Sequence, residues 1–441
     1  MSNTISVLGC LLGFALVMFL CYRGWSVYLT AFIGACVVTV LNSLPLADNL
    51  LNVFMEGTFS SVKNFFLLFM LGCIQAKLYT KSGAALIIAE TVMNRLIKGT
   101  GSNTAKNMSA MGVIILISAI LCLGGVAAAV VIVLLYPVAL AIFKRCDIPK
   151  KFILGVLGAG SYTFSLTMPG SPEIQNIVPM TILGTTSTAA LIPGLVGAAV
   201  EIAVILLVLN SLINKSRANG EHFVPHPLDP QYDESTAHPS FIAALIPIVT
   251  LFVLFNFLKL NINLCLVICI ALSTVLFLKY LGRENLKDFF NEGAVESVPM
   301  TMSIAIVCAF ANTVTNTAGF QSILTGVTGA AISPLLICSA CVALMCMLTG
   351  GSSAGQMAVL PLVAPKLLDL GLKATTIHRV AAFASTTLDS LPCSGAILML
   401  LPMCRMKLKE VYPYLFVTTV LATSCGTAAV IAMCALFPSL A

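Results

Sequence analysis

Charged residues are scarce in this chain. Of its 441 residues only 9% are charged and 59% are hydrophobic, and the mean hydropathy is +1.03. Soluble domains carry about 25% charged residues. The longest polar stretch, residues 214–239, is too short for a soluble catalytic or nucleic-acid-binding domain. The composition therefore predicts an all-α polytopic protein of the lipid bilayer, with no nucleic-acid partner.

Motifs for catalysis and for metals are also missing. The sequence contains no HExxH and no GxxxxGKS pattern, so we predict neither an enzyme nor a transporter driven by ATP. The sixteen cysteines are scattered through apolar stretches, where small buried hydrophobes are expected. His222, His226 and His238 lie at irregular spacing in the polar stretch, which is typical of a solvated loop. No metal and no cofactor is expected.

Apolar stretches of about 20 residues, the length that crosses a bilayer, recur along the chain. The sequence predicts spans at 5–21, 26–44, 65–79 and 189–213 in the first half, and at 241–258, 264–281, 300–314 and 411–436 in the second. A more polar helix at 84–97 is predicted to lie at the membrane interface.

Two further apolar stretches are too long for one span. Residues 108–143 are interrupted at Gly124-Gly125, and residues 334–363 at Gly350-Gly351-Ser352-Ser353. We interpret each as a re-entrant helical hairpin whose tip is the interruption; two full spans are the alternative for the first. Glycine at a tip lets a ligand approach the backbone closely.

The span at 152–183 is predicted to break in its middle. The sequence there reads Pro169-Gly170-Ser171-Pro172-Glu173, and proline removes a backbone donor and clashes with the preceding turn. In a membrane a broken helix is tolerated only where it is buried in protein or lines a wet cavity. Transporters commonly build their binding sites this way. A second break is predicted where the span at 377–391 meets Pro392-Cys-Ser394.

The two breaks belong to an internal repeat. Residues 169–179 match residues 392–402 at four of eleven positions, and three glycine motifs recur in the same order in both halves. The matched motifs are Glu56-Gly57 with Glu292-Gly293, Gly83 with Gly319, and Gly124-Gly125 with Gly350-Gly351. We therefore predict a first transmembrane repeat (1–213), a cytoplasmic linker (214–239) and a second transmembrane repeat (240–441). Five predicted crossings per half make the second repeat inverted.

Basic residues support this topology in most loops and place both termini outside. Lys366, Lys373 and Arg379 contradict it, because they fall on the outer side. His378-Arg379 is interpreted as an interfacial anchor, and Glu201, inside a span, is expected to pair across helices.

The inversion is expected to bring both tips and both breaks to the midplane. Helix N-termini and hydroxyls would form an uncharged, donor-rich site for a carboxylate. The candidate substrate-binding residues are Gly124, Gly125, Pro169, Gly170, Ser171, Gln175, Asn176, Gly350, Gly351, Ser352, Ser353, Ser390 and Ser394. The alternative role for the glycines and serines is close helix packing. Glu173 and Asp389 lack a cationic neighbour in sequence and are candidate proton carriers; the alternatives are a helix cap or the wall of a solvated cavity.

Several motifs together resemble one known family over nearly the whole chain. They are the glycines after the third span, the paired hairpins, Pro169-Gly-Ser-Pro-Glu-Ile-Gln-Asn with the trailing Leu183-Gly184-Thr185, and Gly350-Gly-Ser-Ser-Ala-Gly. The chain is similar to the gluconate permease (GntP-type) family of the ion-transporter superfamily. The resemblance implies a proton symporter for gluconate or a related hydroxy or sugar acid, working by alternating access in the cytoplasmic (inner) membrane, and a homodimer. The alternative is a sodium-coupled carboxylate transporter or a sodium/proton antiporter of the same superfamily.

Overall fold

The computed structural model describes residues 3–23, 25–96, 102–126, 128–227, 229, 238–328, 332–349, 351–391 and 405–441. Within these ranges every regular element is a helix. The first half contains α1 (Asn3–Tyr22), α2 (Val27–Leu41), α3 (Leu46–Lys81), α4 (Ala84–Leu96), α5 (Asn103–Leu123), α6 (Ala128–Cys146), α7 (153–167), α8 (Ile174–Leu183) and α9 (Leu191–Ala218). The second half contains α10 (Phe241–Asn256), α11 (Ile262–Leu281), α12 (Leu286–Thr315), α13 (Ala318–Thr328), α14 (Pro334–Thr349), α15 (Ser352–Asp369), α16 (Ala374–Ala384) and α17 (Leu408–Leu436).

Six of the described helices, α3, α5, α9, α11, α12 and α17, are long and apolar enough to cross a membrane. Their outward faces carry large apolar side chains that water would solvate poorly, such as Leu207 (63% exposed) and Val275 (73% exposed). Their inward faces carry buried polar groups such as Gln75 and Glu201. The prediction of an all-α polytopic membrane protein is confirmed.

The most extensive contact between the halves joins α3 to α12. The two helices run antiparallel, because Lys77 near the end of α3 forms ion pairs with Glu292 (3.2 Å) and Glu296 (2.6 Å) near the start of α12. Glycines permit the close approach. A Cβ on Gly57 would lie 2.8 Å from Ala309 Cα, and a Cβ on Gly293 would lie 2.7 Å from Ile74 Cα.

Gly57 and Gly293 are matched positions of the predicted repeat, and each packs against the far part of the other's helix. Two helices related by a two-fold axis in the membrane plane make this reciprocal, antiparallel contact. The contact supports an inverted repeat, which for the chain as a whole stays a prediction.

α3 and α12 begin well before the predicted spans at 65–79 and 300–314. Their N-terminal parts carry polar residues, among them Glu56 and Glu292, so hydropathy detects only the apolar remainder of each helix. α9 continues to Ala218 for the same reason. The first residues of the predicted linker at 214–239 therefore belong to this helix, and the boundary between repeat and linker stays a prediction.

α5 and α6 form the first predicted hairpin, and α14 and α15 the second. A Cβ on Gly124, at the first tip, would lie 2.6 Å from Ile248 Cγ1, which is halfway along α10. By length alone α5 would cross a membrane, as in the two-span alternative. The position of the tip beside the middle of α10 favours the re-entrant hairpin.

Candidate functional site

The first helix break lies where the sequence predicts it. α7 ends at Thr167 and α8 begins at Ile174. Gly170 between them has φ +84°, a conformation that glycine adopts without strain. Its N–H donates to the Ser187 carbonyl (3.0 Å), and its carbonyl accepts from Asn256 Nδ2 (3.0 Å). The turn is therefore held by α10 of the second half as well as by its own half.

Arg379 of α16 stabilises the end of α7. Its side chain is 0% exposed. It makes five hydrogen bonds of 2.9–3.1 Å, to the carbonyls of Thr167, Ser187 and Ala189 and to Asn176 Oδ1. A cation beside the carbonyl end of a helix is favourable. The prediction that His378-Arg379 is an interfacial anchor is wrong, because the acceptors for this arginine lie inside the protein.

Asn176 belongs to the same network. Its Nδ2 donates to the Met168 carbonyl (3.2 Å), while His378 Nε2 lies 3.3 Å from its Oδ1. The other ring nitrogen, His378 Nδ1, lies 2.7 Å from Thr185 Oγ1. The polar atoms of Asn176 are thus occupied by protein partners that order the break. The role of Asn176 in substrate binding stays a prediction.

Gly194 of α9 packs directly against this network, which allows a test of it. A Cβ there would lie 2.9 Å from Arg379 Cδ and inside contact distance of Pro169 Cγ. We expect Gly194→Ala to destabilise the protein by about 1–3 kcal/mol, because overpacking displaces the arginine and the turn. Thermal unfolding in detergent measures this effect.

Gly112 of α5 is the matched control for Gly194. No neighbouring atom lies within 4 Å of a Cβ built there. Gly112→Ala should therefore stabilise the protein by about 0.5–1 kcal/mol, the gain expected in a helix interior. Equal melting temperatures for the two variants would show that the network at the break tolerates displacement.

The start of α8 meets the start of α15 from the other half. Gln175 Nε2 donates to Ser352 Oγ (2.7 Å), and Gln356 Nε2 donates to the Gln175 carbonyl (3.2 Å). We refer to Gln175, Ser352 and Gln356 as the α8–α15 contact. Helix N-termini carry free N–H groups and about half a positive charge. Two such ends therefore meet here, one from each half.

Two buried oxygens at the α8–α15 contact have no partner among the described residues, Gln175 Oε1 and Gln356 Oε1. The orientation of the Gln356 amide is fixed, because its nitrogen donates to a carbonyl that only a donor can satisfy. An unpaired buried acceptor costs about 1–3 kcal/mol. Both oxygens are therefore suited to accept a hydrogen bond from a bound molecule.

Asp389 lies beside the α8–α15 contact. Its carboxyl is 9% exposed, accepts from Ser390 Oγ (2.8 Å) and lies close to the hydroxyl and backbone N–H of Ser352. Among the described residues no cation forms an ion pair with it. The carboxyl therefore occupies the N-terminal end of α15, the place that an anionic ligand would take.

Glu173 faces a pocket. The pocket has a volume of about 50 Å³ and is formed by α3, the first hairpin tip, the break and α11, with Leu68, Cys122, Gly125 and Leu266 among its lining residues. Glu173 is the N-cap residue of α8, yet its side chain accepts no capping hydrogen bond. The carboxyl contacts the Cys122 thiol instead. The helix-cap alternative is therefore wrong for Glu173.

Tyr162 of α7 connects the surroundings of the two carboxyls. It lies within electrostatic reach of both Glu173 and Asp389. Its buried hydroxyl has no hydrogen-bond partner in the described part of the chain. The phenol is therefore a buried donor that no described residue uses.

Most predicted site residues that the structure describes lie near the break or the α8–α15 contact. Ser171 Oγ accepts from the Glu173 N–H (3.3 Å), and Gly351 is the N-cap residue of α15. Gly124 packs tightly against an apolar side chain, as the packing alternative predicts. Gly350 and Ser394 lie outside the described residues.

Residues 351–355 spell Gly-Ser-Ser-Ala-Gly, which matches the letters of the G-x-S-x-G nucleophile elbow. That elbow is a turn from a strand to a helix. Ser353 instead lies in the first turn of α15, in a described chain whose elements are all helices. The match to the hydrolase motif is therefore limited to the sequence and does not extend to the structure.

The sequence did not predict the roles of three residues of this region. Arg379 was assigned a different role, and Gln356 and Tyr162 were not identified as candidates. One signal was available for Arg379, because an arginine within a predicted span is costly and usually functional. Nothing in the sequence distinguishes Gln356 or Tyr162 from other polar residues of apolar helices.

The chain is similar in sequence to proteins that are named as transporters. It is 29% identical to the uncharacterized transporter YxjC of Bacillus subtilis (strain 168), over 97% of this chain and 98% of that protein. It is 22% identical to an uncharacterized transporter of Haemophilus influenzae, over 72% of each chain. No family model matches the sequence.

A solved structure shares the fold. The Alcanivorax borkumensis YdaH transporter, whose crystal structure is described as revealing an unusual topology, matches with a TM-score of 0.56 and 12% identity over 90% of both chains. The sequence similarities support a role as a membrane transporter, and the structural similarity shows the fold. They indicate neither the gluconate permease family in particular, nor a substrate, nor a coupling ion.

Proposed function

We propose that the protein is a secondary active transporter that carries a small hydroxylated organic anion, such as a sugar acid or a hydroxy acid, together with protons. The observation that carries this proposal is the α8–α15 contact. It joins two helix N-termini from opposite halves, beside two carboxyls and two unpartnered amide oxygens.

The helix ends favour an anion. Their free N–H groups and partial positive charge stabilise a carboxylate without an arginine. The only arginine described near the break, Arg379, already makes five hydrogen bonds to the protein. The charge of a substrate would therefore be met by backbone groups and by Ser352.

The unpartnered oxygens favour hydroxyl groups on the same substrate. Gln175 Oε1 and Gln356 Oε1 can only accept hydrogen bonds. They therefore favour a substrate with hydrogen-bond donors, such as hydroxyl groups. A carboxylic acid without hydroxyls would leave both oxygens unpaired, at a cost of about 1–3 kcal/mol each.

The carboxyls favour protons as the coupling ion. Asp389 lies at a helix end that an anion would also occupy, and Glu173 faces the adjoining pocket. A proton on Asp389 would remove the negative charge that competes with the substrate. Binding of proton and anion would then be favourable together, which is the requirement for symport.

Uptake into proteoliposomes tests the proposal. Labelled gluconate, a short hydroxy acid and the matching acid without a hydroxyl are offered under an inward proton gradient, with and without sodium. We expect uptake of a hydroxylated acid that follows the proton gradient and ignores sodium. Uptake that follows sodium would establish the alternative, and equal uptake of the unhydroxylated acid would refute the role of the amide oxygens.

Gln175→Leu should weaken the binding of the hydroxylated acid about tenfold or more. The change removes the donor to Ser352 and one acceptor for the substrate, and each tenfold corresponds to about 1.4 kcal/mol. Gln321→Leu in α13, whose side chain donates to the Thr315 carbonyl, is the matched control and should leave the affinity unchanged. Calorimetric titration of the purified protein measures both.

A further inference from the structure

Glu201 is a buried carboxyl that the proposed transport site does not use. It lies on α9 and is 0% exposed. Oε2 lies 2.7 Å from Thr167 Oγ1, and Oε1 has no partner among the described residues. Glu201 therefore pairs across helices, as the sequence predicts, and its partner is the hydroxyl of Thr167 on α7.

The hydrogen bonds around Thr167 need two hydrogens. Thr167 Oγ1 lies within hydrogen-bonding distance of two oxygens, the Thr163 carbonyl (3.2 Å) and Glu201 Oε2 (2.7 Å). A carbonyl and an ionised carboxylate can only accept, while a threonine hydroxyl has a single hydrogen to donate. With Glu201 ionised, one of the two contacts has no hydrogen.

A proton on Glu201 satisfies both contacts. Glu201 Oε2–H then donates to Thr167 Oγ1, and the Thr167 hydroxyl donates to the Thr163 carbonyl. We propose that Glu201 is a proton-binding site separate from the α8–α15 contact. Burial supports this, because an ionised carboxylate with one hydrogen bond is far costlier in an apolar interior than the neutral acid.

The surroundings of Glu201 favour a proton over a metal cation. A Cβ on Gly426 of α17 would lie 2.9 Å from Oε1 and 2.6 Å from Cγ, so the unpartnered oxygen faces backbone at close range. No charged side chain of the described residues faces the carboxyl from α7, α9 or α17. Arg379 reaches this region only through the Thr167 carbonyl, at 3.1 Å.

The proton would link the break to the helices that surround it. Thr167 is the last residue of α7, held through its carbonyl by α16 and through its hydroxyl by α9. Loss of the proton makes Glu201 and the Thr163 carbonyl compete for one hydrogen. The end of α7 is therefore bound more firmly in the protonated protein.

Infrared spectroscopy of the purified protein without substrate tests this inference independently of transport. We expect a carbonyl band of a protonated carboxylic acid at neutral pH that is missing in Glu201→Gln and retained in Glu284→Gln, which removes an exposed carboxylate. In Glu201→Gln the side-chain Nε2–H can donate to Thr167 Oγ1 in place of the acid O–H, so the hydrogen bond should be kept while the acid band is lost. The absence of any band that depends on Glu201 would refute the proposal.

Changes at Thr167 test the hydrogen bond even where Glu201→Gln fails to fold. Thr167→Val should shift the band to higher wavenumber, because the acid loses its acceptor, whereas Thr167→Ser should leave it in place. An unshifted band in Thr167→Val would overturn the proposed contact. A transport assay that fails to find a substrate would leave this result unaffected.

Discussion

Arg379→Gln is expected to abolish the folded protein. The change removes five hydrogen bonds, four to the carbonyls of Thr167, Ser187 and Ala189 and one to Asn176 Oδ1. An unsatisfied buried acceptor costs about 1–3 kcal/mol, and a whole protein is stable by only about 5–15 kcal/mol. The sum of the losses is therefore of the same order as the total stability. Size-exclusion chromatography in detergent should show loss of the monodisperse peak.

Arg379→Lys tests whether the positive charge of this side chain is enough, or whether the arrangement of its hydrogen-bond donors is also required. Lysine keeps the positive charge but has three donors on a single nitrogen and cannot reach acceptors on several sides. We expect a folded protein with a clearly lower melting temperature. Lys373→Gln, an exposed change at the start of the same helix, is the control and should behave like the unmodified protein. A normal melting temperature for Arg379→Gln would show that the arginine is dispensable.

Asp389→Asn is expected to abolish accumulation driven by a proton gradient. Asparagine resembles the protonated acid in shape and cannot release a proton, so substrate binds but its movement is no longer tied to proton flow. With one proton carried per substrate, a gradient of about one pH unit supports about tenfold accumulation. In the variant this ratio should fall to about one. Flux measurements in proteoliposomes provide the comparison.

Exchange of labelled for unlabelled substrate should survive in Asp389→Asn, because exchange needs binding and reorientation but no net proton movement. Asp369→Asn, at the exposed end of α15, should leave both assays unchanged. If Asp389→Asn still accumulates substrate like the unmodified protein, Asp389 is not a proton carrier. Glu173→Gln should then be examined alone and in combination.

The break at Pro169 and Gly170 could be predicted because its cause is local. Proline and glycine act on their own turn of helix, wherever the rest of the chain lies. The paired hairpins were predictable for a similar reason, since an interruption in a long apolar stretch is visible in the sequence. The N-terminal parts of α3 and α12 were missed, because hydropathy does not report polar turns that continue a helix.

The role of Arg379 could not be predicted because its acceptors are remote. They lie 190 to 212 residues away along the chain, and most are backbone carbonyls, which leave no trace in the side-chain pattern. The α8–α15 contact joins Gln175 to Ser352 across 177 positions. Sequence identified both residues as candidates but could not show that they touch.

The attachment of Arg379 has a consequence for the resting state of the transporter. The alignment that places Pro169 on Pro392 places Val156 on Arg379, so the matched position of the first half is an apolar residue with no side-chain donor. Two identical inverted halves would give inward-facing and outward-facing forms of equal free energy. Because valine cannot make the hydrogen bonds that Arg379 makes, the two halves are not equivalent, and the two forms should be unequally populated without substrate. The transporter without substrate would then be predominantly in the form that is open to one particular side of the membrane.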